Sequence, residues 1–269
     1  NLIDYLMMLL KAFNPKTIKK CDISESRKRF KNKKNKNVRF LLEKRFLWMN
    51  EFIKEKKIIM ELGSGNGACK DILKNKNIIL TDIQKYPWIS KKVDMNNLKL
   101  KKKYIKKVDV FILNQALHHC ANPSKLLKKM LFYLKRNGYI LIREPEISIS
   151  LRLLLLLLDD EAWSLNVNIF NIKKNIFDPK SPWDANNATA NLLFKNEDLF
   201  ISHFPQYTIV KNELSEFLTF INSGGVVQKK FHIPVNKFFF NLLDLFDKIL
   251  IFLFPGIFAL GRTVVLKKI

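Results

Sequence analysis

Arginine is scarce in this chain. Of 269 residues, 48 are basic and 24 acidic, a formal charge of +24, yet 40 of the basic residues are Lys and 8 are Arg. Recognition of phosphates and bases favours the planar fork of Arg. A nucleic-acid partner is therefore the weaker reading, and a solvated lysine-rich surface the stronger. Asn is abundant, and the run KNKKNKN at 31–37 looks like compositional drift. Attraction to anionic lipid stays open. Cysteine is also sparse. Cys21, Cys69 and Cys120 are far apart, odd in number and form no CxxC. That excludes a disulfide framework and points to a reduced, cytoplasmic protein, with membrane-peripheral contact as an added option. A leader is not evident: 1–10 is apolar but contains Asp4 and has no basic flank before it. The sequence does not begin with Met, so its start is read as truncated. Uninterrupted spanning segments are missing too. The leucines at 153–158 number six, against the ~20 residues needed to cross a bilayer. The apolar stretch 238–260 is broken by Asp244, Asp247 and Lys248 and stopped by Pro255-Gly256. It reads as a helix packed on a sheet, with spare apolar surface for a lipid-like acceptor or a membrane edge.

What is present centres on 57–82, KIIMELGSGNGACKDILKNKNIILTD. An apolar run ends in Glu61. Gly63, Gly65 and Gly67 follow at alternate positions, then a mixed segment, then a second apolar run ending in Thr81-Asp82. The order predicts strand, glycine turn, helix, strand, acid. Glycine permits positive φ and close backbone approach. The helix N-terminus beside it offers free N–H groups to a ligand. A carboxylate ending the next strand can accept the hydroxyl hydrogens of a ribose. This is the pattern of a nucleoside half-site.

The segment Glu61-Leu62-Gly63-Ser64-Gly65-Asn66-Gly67 closely resembles motif I of the class I S-adenosylmethionine-dependent methyltransferases. Dinucleotide-binding domains share the glycines and the distal acid, but rarely the acid in front. A second stretch supports the resemblance. The apolar strand 108–113 delivers Asn114, His118 and His119; Asn122-Pro123 opens a helix, and Leu134 and Asn137-Gly138-Tyr139-Ile140 follow. This resembles the type 11 subgroup, whose usual "RVLKPGG" stands here as Tyr133-Leu134-Lys135-Arg136-Asn137-Gly138, one glycine short.

The resemblance implies a Rossmann-like α/β fold: a seven-stranded, mostly parallel sheet with helices on both faces and insertions after strands 5 and 6, at about 147–204 and 226–261. It divides the chain into an N-terminal helical, basic segment at 1–55 and a methyltransferase domain at 56–269. Strands are expected at 58–60, 78–80, 93–95, 108–113, 139–142, 207–210 and 263–266, the last antiparallel. Helices are expected at 1–13 and 38–52, with Tyr5 and Trp48 as candidate lid contacts. The implied cofactor is S-adenosylmethionine, held by Glu61, Gly63, Ser64, Gly65, Gly67, Asp82, Ile83, Asp94, Met95 and Asn114. Within that set Asp82 takes the ribose and Asp94 the adenine. The acceptor is small or lipid-linked. If it is a hydroxyl, His119 is the expected base and Glu144 the reserve. Glu161, Trp163, Trp183 and Asp184 in the first insertion are candidate lining residues. No metal is expected, because adjacent His side chains point apart and no further ligand has metal-site spacing. Two alternatives remain: an NAD-type oxidoreductase, although no catalytic Tyr/Lys or Cys/His pattern is visible, and a non-catalytic scaffold on the same fold.

Overall fold

A computed structural model describes residues 11–32 and 35–269. Seven strands form one sheet: β1 (Ile59–Leu62), β2 (Ile78–Asp82), β3 (Lys91–Lys92), β4 (Val108–Asn114), β5 (Leu134–Pro145), β6 (Tyr207–Ser215) and β7 (Gly261–Lys268). Their order across the sheet is β3-β2-β1-β4-β5-β7-β6. The first five are parallel; β7 runs antiparallel to both β5 and β6. The strand order reverses beside β1, and ligands bind outside the carboxyl ends of strands at such a switch point.

The helices of five residues or more are α1 (Ile23–Lys31), α2 (Lys36–Phe46), α3 (Ala68–Ile72), α4 (Pro123–Tyr133), α5 (Ile149–Leu158), α6 (Thr189–Phe194), α7 (Glu197–His203) and α8 (Lys237–Leu253). The polar residues of the sequence start many of them. Asp22, Asn35, Asn122, Ser148, Asn196 and Asn236 each accept a backbone N–H of the first turn, which satisfies a donor that the helix itself leaves unpaired.

The core sits on both faces of the sheet, as the period of two demands. Met60, Leu62, Phe111, Leu113 and Ile142 face α4, α6 and α7. Ile59, Val110, Ile112 and Leu141 face α2 and the residues that lead from it into β1. The N-terminal segment thus shares the sheet's core. At the start of β1 and β4, Asp109 accepts the N–H groups of Lys57 and Ile58 at 3.1 and 3.0 Å.

Several boundaries depart from expectation: the sixth strand runs to Ser215 rather than 210, and the helix expected at 38–52 ends at Phe46. The third strand is Lys91–Lys92 rather than 93–95, so Asp94 and Met95 lie in the loop after it. The fifth strand begins at Leu134, directly after α4, and runs through Asn137, which takes φ 59°. Its register shifts opposite Val108 and Val110. Ala12–Phe13 form a strand, not a helix end, paired antiparallel with Trp163–Ser164. Tyr5 and the rest of the expected first helix lie outside the described residues.

A buried charge cluster ties β5 to the helical layer. Glu216, at φ 65°, accepts from Arg45 Nε at 3.0 Å and Nη2 at 2.7 Å, and pairs with Arg143 at 2.8 Å. Arg143 fills the space beside Gly261, where a Cβ would lie 1.8 Å from its guanidinium.

Candidate active site

The carboxyl ends of β1, β2, β4 and β5 open into one cavity of about 1250 Å³. Its first half is the glycine turn. Gly63, at φ 69°, sits so close to the β4 loop that a Cβ would meet Ala116 at 2.8 Å. Gly65, at φ 45°, is different: a Cβ there would meet nothing within 4 Å. The first glycine is demanded by packing, the second by backbone conformation beside an open cavity. Asp82, ending β2, holds the turn: its carboxylate accepts Gly65 N at 2.9 Å and Gln84 N at 3.0 Å.

Two acceptor atoms beside this half lack partners. Glu61 Oε2 and Asn114 Oδ1 are buried acceptors with no hydrogen bond, and both residues line the cavity. Burial pushes the Glu61 carboxyl up to about 8. Orphaned acceptors of this kind call for a donor from a ligand, and a carboxylate desolvated this far gains most from a cationic one. Ser64, Ile83, Asp94 and Met95 line the same half; Gly67 does not. The Asp94 carboxylate accepts Asn96 N at 2.8 Å.

α1 roofs the turn. Arg27 donates to Asn66 O at 2.5 Å and stacks over Trp88 at 4.8 Å. Trp88 donates to Gly65 O at 2.8 Å and stacks on Tyr86. The signal was the aromatic pair Tyr86 and Trp88 shortly after Asp82. Trp48, the expected lid contact, packs instead on Phe52 and Lys211, away from the cavity.

The second half is built where the loop after β4 meets the first insertion. Glu161, Trp163, Trp183 and Asp184 all line it. His118 and His119 lie on the turn Leu117–His119, with ring centroids 4.2 Å apart. Glu144 does not line the cavity. It is fully buried and accepts Ala116 N, Leu117 N and His118 N at 2.8, 2.8 and 3.1 Å, and His118 Nδ1 at 2.5 Å. With its oxygens committed to this turn, Glu144 is a brace for His118 rather than the expected reserve base. Burial raises its pKa, but the His118 charge and these bonds outweigh that and hold the carboxyl below its usual range.

His119 is the available imidazole. Its Nδ1 lies 2.9 Å from Asp184 O. A carbonyl only accepts, so Nδ1 carries the hydrogen and Nε2 keeps its lone pair. Burial, reinforced by neighbouring His118, draws the His119 pKa below 6.5, so the ring is neutral near pH 7. For His118 burial also opposes charge, yet Glu144 and Glu161 outweigh it and the pKa rises. Glu161 reaches both rings, 3.7 Å from His118 Nε2 and 3.8 Å from His119 Nε2. Burial raises Glu161, but the two imidazoles outweigh that and hold it low. This convergence is the opposite of the expectation that adjacent His side chains point apart.

Comparison with known proteins now bears on this arrangement. A family model described as a methyltransferase domain matches residues 27–182, more than half of the chain. The chain belongs to that family. In fold it is similar to a SAM-dependent methyltransferase from Archaeoglobus fulgidus, with a TM-score of 0.54 at 15% identity over 89% of this chain and 98% of the other. An S-adenosylmethionine-dependent methyltransferase from Mesorhizobium loti is more distant, with a TM-score of 0.39 at 11% identity over 78% of this chain and 90% of the other. No curated sequence matches. The class I S-adenosylmethionine-dependent methyltransferase implied by the sequence agrees with the family match and with the sheet order. The family match sets aside the NAD-type oxidoreductase.

Proposed function

We propose that this protein transfers a methyl group from S-adenosylmethionine to a small or lipid-linked acceptor. The observation that carries the reading is the pair of unpartnered acceptors, Glu61 Oε2 and Asn114 Oδ1, beside a glycine turn open at Gly65. They suit the ammonium of the cofactor's amino-acid part. Asp82 takes the ribose hydroxyls, and Asp94 with Met95 and Ile83 takes the adenine. The bound cofactor supplies an already activated methyl group, so the protein's work is alignment and exclusion of water. Where the acceptor is a hydroxyl, His119 Nε2 takes its proton. Asp184 fixes the tautomer, and burial keeps the ring neutral.

The acceptor half supports an apolar substrate. Leu151, Leu154, Leu155 and Leu158 of α5 line it, with Trp163 and Phe231. The same apolar character continues outside. α8 packs Phe240 and Ile251 inward but carries apolar side chains outward as well. Its Asp247 is buried, accepting three backbone N–H groups and the Thr219 hydroxyl, and Asp244 pairs with Lys44 and Lys248. Phe238, Leu242, Leu245, Ile249 and Phe252 meanwhile face solvent, Phe252 at 86%. These positions recur every three or four residues along one side of the helix. The turn Pro255–Phe258 carries the surface to α5, where Leu157 is 83% exposed, and Phe231 at the cavity lining is 88% exposed. An apolar surface of this extent on a lysine-rich chain fits the face of an anionic bilayer. No helix among the described residues is long and apolar enough to cross a membrane, so contact from one side is the form proposed.

The test is transfer of labelled methyl from S-adenosylmethionine to fractions of a cell extract. Label entering the lipid-extractable fraction, and absent with Asp82→Ala, is the expected result. Label confined to water-soluble products would overturn the lipid-linked acceptor. No transfer to any fraction, with the cofactor tightly bound, would favour the scaffold.

A further inference from the structure

We infer that His118, His119 and Glu161 form a binding site for a divalent transition cation. Three observations converge on it. One Nε2 from each imidazole faces the Glu161 carboxylate, and the three groups offer ligand atoms that all lie within 4.8 Å of one another. The rings are then held in the tautomer a ligand needs. His118 Nδ1 is bonded to the Glu144 carboxylate and His119 Nδ1 to the Asp184 carbonyl. Metal-binding histidines regularly give their other nitrogen to a carboxylate or carbonyl, which fixes the ring and raises ligand basicity. Finally, Glu161 is itself anchored: Asn187 Nδ2 donates to its Oε2 at 3.1 Å, and Asn187 N donates to Ala162 O at 3.0 Å.

Distances and ligand types select the ion class. A zinc-type cation holds nitrogen and oxygen ligands at about 2.0–2.2 Å, which sets neighbours in a tetrahedral site roughly 3.4 Å apart. Glu161 presents one oxygen to each ring, Oε2 at 3.7 Å from His118 Nε2 and Oε1 at 3.8 Å from His119 Nε2, so an ion between the two rings and this part-buried carboxylate draws all three groups inward from their present span of up to 4.8 Å. Two imidazoles and one carboxylate suit zinc or ferrous iron, whereas magnesium and calcium prefer oxygen. Three protein ligands leave a coordination position open. An acceptor oxygen, nitrogen or sulfur fits that position. With the cation in place, His119 holds the ion instead of taking the acceptor's proton. The site stands independently of the methyl-transfer reading, because it is measured without cofactor or acceptor.

The experiment is calorimetric titration of zinc into the full chain after chelator treatment, with cobalt titration followed by visible absorption as the second readout. One ion per chain is expected, with the cobalt bands of a four- or five-coordinate nitrogen and oxygen site. Glu161→Ala and His119→Ala should each weaken zinc at least tenfold, while thermal unfolding and S-adenosylhomocysteine binding stay near the parent's. Glu161→Ala is the safer variant for folding, since the Glu161 side chain is only part-buried and braces no backbone. Failure of the folded parent to bind zinc or cobalt, or binding unchanged by both substitutions, would overturn the inference.

Discussion

The two halves of the cavity are made in different ways. The cofactor half is made by the ends of β1, β2 and β4 and the turns that leave them, within 61–116. The acceptor half joins His118 and His119 to Glu161 and the 182–187 segment, and shares its wall with residues from Ile18 to Phe231. One is local and rests on the sheet; the other is assembled from insertions. The cofactor half has acceptors waiting for a cation. The acceptor half has apolar walls around a His–His–Glu cluster. A family with one cofactor and many acceptors is expected to divide this way, since the fold holds the common ligand and loops supply the variable one.

That division can be broken by substitution. The largest effect should come from His119→Ala. With a hydroxyl acceptor, turnover should fall on the order of 10²–10⁴-fold, while cofactor affinity stays within a factor of two or so. Full turnover would remove His119 from the chemistry. Next is Asp82→Ala, which removes the proposed ribose contact and the support of Gly65. Loss of charge-assisted hydrogen bonds worth about 3 kcal/mol should weaken cofactor binding ~100-fold, read by calorimetry.

A smaller effect tests the outer surface. Phe252→Ser or Leu245→Ser on α8 should each lower partition onto anionic vesicles roughly tenfold, from the loss of about 1.5 kcal/mol or more of apolar burial, in a sedimentation assay. Stability should change by less than about 0.5 kcal/mol, as these side chains already face solvent. Unchanged partition would detach this face from lipid.

The smallest effect is a proton. The native Glu61 carboxyl keeps its proton to about pH 8, against an ordinary value of 4.5. In the free protein this group therefore favours the folded state at low pH, and that contribution is lost as pH rises from 4.5 through about 8. A bound cation reverses the preference, because it stabilises the ionised carboxylate. Cofactor binding near pH 7 should release close to one proton in the parent and less in Glu61→Gln. Binding enthalpy measured in buffers of different ionisation heat counts it.

The local pattern explains what could be read from the sequence. Glu61, the three glycines and Asp82 lie within 22 consecutive positions, and the strand, turn and helix between them are set by neighbours in sequence. The antiparallel last strand came with the resemblance. The misplaced elements depend on distant partners. Lys91–Lys92 are polar and become a strand only by pairing with Thr81–Asp82 at the sheet edge. Ala12–Phe13 need Trp163–Ser164, some 150 residues away. Leu134 joins β5 because it pairs with Val108 across a register shift. The His pair follows the same rule. Side chains of adjacent residues diverge on a strand, but the turn Leu117–His119, pinned by the buried Glu144, brings both rings to Glu161. No spacing in the sequence announces that contact, and no apolar period announces that α8 buries Asp247 while Phe238, Phe239, Phe246 and Phe252 face solvent.

The central claim is that the cofactor half is a ready site for S-adenosylmethionine, and its most direct test is calorimetric binding of S-adenosylmethionine and S-adenosylhomocysteine to the purified chain, with Asp82→Ala as control. The account predicts one site for each in the parent and a loss of about 100-fold in the variant. A folded parent that binds neither, or a variant that binds as well as the parent, would contradict it.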